Sequence, residues 1–156
     1  MENQSGLGLV LWTTDIAGLA DFLVAVGGME LLSRHPGFAE LRAGPSRVML
    51  HDDDAGRGHP WYRALAREGV ARGIGAELRL QVPDVEAAFA RALRLGALSI
   101  APPSAAEGTR ECQVMGPDGY VVGLWQEGLA GPAEPPAPAR RQPVPWPTRP
   151  SSLRRP

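Results

Sequence analysis

The chain has no lysine, and all 16 of its basic side chains are arginine. That excludes a Schiff-base amine, a pyridoxal phosphate anchor and a Walker A lysine. There is one cysteine, Cys112. It cannot close an internal disulfide, which suits a reducing cytoplasm, and a strand position with no fixed neighbouring histidine suits a buried, inert thiol. No apolar run reaches the length of a bilayer span, and the start MENQSG has no basic segment, so neither membrane insertion nor secretion is expected. A G-x-S-x-G elbow and a zinc-type His/Cys spacing are both missing. Gly27-Gly28 reads as a helix stop, with Gly27 supplying the left-handed turn, rather than as a phosphate loop.

The formal net charge of −1 is unevenly spread. Through Glu127 there are 11 Arg against 16 Asp and Glu, close to −5; the segment from Gly128 holds Arg140, Arg141, Arg149, Arg154 and Arg155 against Glu134 alone, close to +4. An acidic body argues against nucleic-acid binding. Residues 128–156 are dense in proline, which removes backbone donors and fixes φ, so the expectation is a disordered or polyproline-like tail. Its alternative role is an interaction arm for a protein partner, with Trp146 as anchor.

What the chain does contain is a repeat. Asp15 opens an amphipathic segment closing at Gly27, and Asp84, 69 positions on, opens another closing at Gly96. Each follows a strand-like run, LGLVLWTT or AELRLQVP, and each leads to a Gly-Pro pair and a last strand-like run, RVML or YVVGLW. Asp15 and Asp84 are good N-caps, and Ile16, Leu19, Leu23 and Val26 recur at helical spacing, as do Val85, Ala88, Phe89, Ala92 and Leu93. The order strand, helix, three strands occurs twice. Neither copy can bury its apolar face alone, so the site is expected between them. One domain over 1–127 is expected, with module one at about 7–54, a connection at about 55–74 and module two at about 75–127.

The paired βαβββ units, and above all AELRLQVPDVEAAFARALRLGA followed by GPDGYVVGLW, resemble the vicinal oxygen chelate superfamily of glyoxalases, bleomycin-resistance proteins and extradiol dioxygenases. The resemblance covers about residues 7–127 and implies an α+β fold in which two βαβββ modules pair to form a curled mixed sheet around a central cavity. It implies metal ligands near the start of each first strand and in each last strand. Those positions hold Gly8, Glu77, Gly123 and either Met49 or Leu50. One carboxylate cannot hold a catalytic divalent ion, so no metal and no cofactor are expected. His51 with Asp52-Asp53-Asp54 is the obvious substitute, but successive strand residues point to opposite faces, and turn-capping or solubilising aspartates are the simpler reading. His35 and His59 precede prolines and read as surface residues.

If Glu77 faces the cavity, Arg79 and Gln81 share its face, Val10 and Trp12 share that of Gly8, and Val121 and Trp125 share that of Gly123. Trp61 and Tyr62 of the connection could close the mouth. The function expected is metal-independent binding of an aromatic or cationic small molecule, such as an antibiotic, in a cytoplasmic homodimer. The alternative is a lyase, isomerase or dioxygenase, metal-free with Glu77 as general base and Arg79 stabilising an oxyanion, or with Glu77 as its surviving ligand.

Overall fold

A computed structural model describes residues 6–68 and 72–128. The expectation for the tail from residue 129 falls outside them. The order is β1 (Gly8–Thr13), α1 (Ile16–Gly27), β2 (Glu30–His35), β3 (Phe38–Ala43) and β4 (Ser46–Asp52), then α2 (Tyr62–Glu68) in the connection. The second unit follows with β5 (Leu78–Gln81), α3 (Val85–Arg94), β6 (Leu98–Ala106), β7 (Thr109–Met115) and β8 (Val121–Glu127). The architecture is α+β, with two four-stranded mixed sheets ordered β1-β4-β3-β2 and β5-β8-β7-β6. The first strand of each unit lies at a sheet edge, parallel to the last.

Helices α1 and α3 start as their sequences dictate. The Asp15 carboxylate accepts from the Gly18 N–H and that of Asp84 from the Ala87 N–H, each at 2.9 Å. The end of α1 differs by one residue from expectation. Gly28, not Gly27, takes the left-handed conformation (φ 65°), and the Gly28 and Met29 N–H groups close back on Val24 and Leu23. Gly27 is needed for a different reason: a Cβ there would collide with Leu80 of the second unit.

The helices cover one face of each sheet. Leu19, Leu23 and Val26 of α1, Val85, Ala88 and Ala92 of α3, and Leu41, Leu50, Val114, Val122 and Leu124 of the strands form one buried cluster. Leu93, expected in the buried stripe, is 42% exposed, because α3 turns Val85, Ala88 and Ala92 inward instead. Burying side chains of Leu and Val size contributes roughly 1.5–3 kcal/mol each before entropy is counted. The two sheets form separate hydrogen-bonded ladders. They are held together by α1 against α3, by Phe22 over Gly116, and by an Arg91 Nε–H bond to the Ala25 carbonyl at 2.9 Å. Among the described residues, no helix is long and apolar enough to cross a membrane.

Candidate functional site

The C-terminal end of β1 is tied to the second unit by a polar clamp. Asp118, at φ 55° in the turn before β8, accepts from Thr13 Oγ1 (2.5 Å), the Thr14 N–H (2.9 Å) and Thr14 Oγ1 (2.8 Å). Burial alone would raise its carboxyl pKa, but these bonds and the Arg72 charge outweigh it and hold the group below its ordinary value. The Trp12 carbonyl accepts twice, from the Tyr120 hydroxyl and from Arg72 Nη1, both at 2.7 Å. Burial pushes the Tyr120 hydroxyl pKa up. Arg72 also grips Asp53 with both nitrogens, at 2.6 and 2.5 Å, and the two side chains are only 8% and 15% exposed.

Away from the clamp, the faces not covered by helices carry the candidate residues. In the first sheet these are Gly8, Val10 and Trp12, beside Arg47, Met49 and His51. In the second, Arg79 and Gln81 stand beside Gly123 and Trp125, and Glu77 immediately precedes β5. A groove of about 560 Å³ opens between the units, lined by Leu7 and Leu9 of the first and by Glu77, Arg79, Gln81 and Trp125 of the second. Four candidates are thus brought to one place. Val121 lies further back on β8, half-buried.

The two glycines at the expected ligand positions behave differently. A Cβ at Gly8 would meet open space. A Cβ at Gly123 would collide with Glu77 Oε1, so the Glu77 carboxylate lies over β8 where a side chain at 123 would stand. Its other oxygen accepts from Gln113 Nε2 at 2.9 Å. Arg79 donates to Glu111 at 2.8 Å, a cross-sheet ion pair with side chains 54% and 36% exposed.

Trp12 and Trp61 belong to a second, aromatic cluster, and Tyr62 follows Trp61 at the start of α2. The Trp12 ring lies 4.7 Å from that of Trp61, 5.1 Å from His51 and 5.8 Å from His59, and Phe38 meets His51 edge-on at 5.3 Å. His59 stacks on Trp61 at 5.0 Å with 13° between planes. Tyr62 donates to Asp54 at 3.3 Å.

The aspartate run divides among three partners. Asp52 accepts from the Asp54 N–H at 2.8 Å, Asp53 takes Arg72, and Asp54 takes Arg57 at 2.8 Å. Cys112 is buried, and burial pushes its thiol up to about 11. The strand register settles the one ligand position the sequence left open. Val10 pairs with Met49 as Arg79 pairs with Gly123, so Met49 is the counterpart of Gly123. Gly8, Met49, Glu77 and Gly123 offer one carboxylate and do not fit a divalent ion that needs about three protein ligands. No group of three or more His, Cys, Asp or Glu among the described residues is arranged to hold one elsewhere.

Sequence reasoning singled out neither Arg72, Asp53 as its partner, nor Asp118 and Tyr120 as a clamp. Asp118 and Tyr120 do lie in the GPDGY run that carries the resemblance, and that was the available signal. Arg72 gives none, because its partners are 19 and 60 residues away.

No protein-family model matches the sequence, and no curated protein matches it. Solved structures do match the fold. A glyoxalase/bleomycin resistance protein/dioxygenase from Nocardioides is 22% identical over 87% of this chain and 92% of its own, with a TM-score of 0.57. A glyoxalase/bleomycin resistance protein/dioxygenase family enzyme from Burkholderia phytofirmans PsJN is also 22% identical, over 77% and 96%, at 0.62. TioX from Micromonospora sp. ML1 is 25% identical over 79% and 98%, at 0.55. With its two βαβββ units, each keeping its first strand at a sheet edge, the chain has the vicinal oxygen chelate fold of the glyoxalase, bleomycin-resistance and dioxygenase proteins.

Proposed function

We propose that this protein binds a planar aromatic or cationic small molecule without a metal, and that it acts by sequestering that molecule, an antibiotic being one such compound. The observation that carries the reading is the state of Glu77. Its carboxylate lines the inter-unit groove beside Trp125, and its hydrogen-bond partner there is the neutral Gln113. Arg79 and Arg47, the cations of the same groove, are already paired with Glu111 and Glu40. The charge left for a ligand is therefore negative and favours a cation. Trp125 offers a stacking surface in the groove, and Trp12, outside the groove lining on the open face of the first sheet, offers another, each contributing about 0.5–1.5 kcal/mol beyond area burial on a ligand ring. Catalysis with Arg79 as an oxyanion donor is less favoured, since that guanidinium is engaged by Glu111.

A homodimer is part of the same reading. The uncovered faces and edges expose Val10, Leu98 and Ile100 at 42%, 67% and 46%, apolar area that a second copy would cover. Light scattering of the purified protein at micromolar concentration tests that part.

The binding reading is tested by metal analysis of dialysed protein, beside a thermal-shift screen of planar cations and aromatic natural products. The expected result is substoichiometric metal and a rise in melting temperature, since ligand at 100 times Kd adds about 2.7 kcal/mol of stability. A stoichiometric ion that survives dialysis and is lost in Glu77→Ala would overturn it.

A further inference from the structure

The connection between the units contributes a ring to the aromatic cluster, and it is held very unevenly. At its base, Asp53 and Arg72 form the buried two-pronged pair that also grips the Trp12 carbonyl. Toward the tip, Asp54 meets Arg57 with side chains 63% and 67% exposed, and the Tyr62 hydroxyl reaches Asp54 at 3.3 Å. Gly58, His59 and Pro60 are exposed. Surface pairs of this kind hold a segment weakly, whereas a buried pair resists separation because each charge would be left without compensation.

What this tip carries is the Trp61 indole, which leans on the Trp12 ring at 4.7 Å with 58° between their planes, and His59 is stacked on Trp61. Gly56 makes room for it: a Cβ there would come within 2.5 Å of Trp61 Cη2 and 3.3 Å of Trp12 Cζ3. Trp61 therefore covers ring surface that Trp12 would otherwise present on the open side of the first sheet.

We infer that the segment from Asp54 to Tyr62 is a lid, in which the tilted Trp61 ring covers Trp12 and is displaced when a ligand's planar ring arrives to stack there. The inference rests on the binding reading above and adds its regulation: the Trp12 subsite is filled from within until a flat ligand competes for it. The base stays fixed through Asp53 and Arg72 while the tip swings. The ligand class it selects is a planar ring broad enough to replace an indole, since a small aliphatic cation would recover far less of the contact area lost on displacing Trp61.

The test uses the full chain and proflavine, a planar aromatic cation, with two readouts. One is proflavine affinity in wild type, Trp61→Ala and Gly56→Ala; the last keeps the indole but forces it off its seat, and so guards against a folding defect peculiar to the first. The other is the far-ultraviolet circular dichroism couplet that two indoles at this separation produce, followed through the wild-type titration. The expected result is several-fold tighter binding in both variants, and loss of the couplet as wild type saturates. Binding in wild type with unchanged or weaker affinity in the variants and an intact couplet overturns the lid, making Trp61 a fixed wall, and leaves the binding reading standing. Absence of binding in all three proteins overturns both.

Discussion

The seam between the two units is closed at one end and open at the other. At the closed end, Asp118 takes three hydrogen bonds from Thr13 and Thr14, and the Trp12 carbonyl is held by both Arg72 and Tyr120. At the open end, Leu7 and Leu9 face Glu77, Arg79, Gln81 and Trp125 across a groove. Each kind of polar group has its own place along the seam. Buried charges are spent on joining the units, each with partners for its hydrogen bonds, while the exposed groove keeps a carboxylate whose partner is neutral. The closed end thus serves stability and the groove serves recognition of a ligand's charge, and mutations should separate the two.

The largest effect is expected at the closed end. Arg72→Ala strands Asp53 in a site only 15% exposed. Removing one member of a buried pair typically costs about 3–5 kcal/mol, to be read from chemical denaturation.

Asp118→Ala comes next, at about 2 kcal/mol, because the Thr13 and Thr14 donors lose a charged acceptor. Its pH dependence has a definite sign. The folded carboxyl titrates below its ordinary 3.8, so its contribution is fully present above pH 3.8 and is lost as pH falls through the folded value. Asp118→Asn should therefore show a shallower loss of stability below about pH 4 than wild type, measured by urea denaturation across the acid range.

Trp125→Ala should act at the other end. Loss of one stacking surface of about 0.5–1.5 kcal/mol weakens a planar ligand roughly two- to tenfold, with little change in the denaturation midpoint because Trp125 is not in the buried core. The smallest effect belongs to Arg79→Ala. Its pair with Glu111 is largely solvated, so stability should move by under about 1 kcal/mol, and that shift should fade with added salt.

Much of the fold was legible in the sequence because it rests on local rules. Asp15 and Asp84 as caps, and the 69-residue offset that aligns Gly8 with Glu77, need only short-range chemistry and a repeat to be seen. The helix stop slipped from Gly27 to Gly28 because the two copies differ there, and Gly27 answers to Leu80, a contact no local pattern shows. The site was less legible. Strand alternation placed Arg79, Gln81 and Trp125 on one open side, yet it could not show that Glu77 folds over Gly123, or that Trp61 lies on Trp12. The Arg72 clamp depends on sequence separations of 19 and 60 residues and had no local signature.

The most direct test is the proflavine affinity of Glu77→Gln against wild type, by calorimetry after chelation with EDTA. This substitution keeps the shape and the reach to Gln113 while removing the charge. Binding about tenfold weaker in Glu77→Gln, and equal in wild type with and without chelator, is the result expected of a metal-free anionic groove. Unchanged affinity in Glu77→Gln, or binding abolished by EDTA, would contradict it.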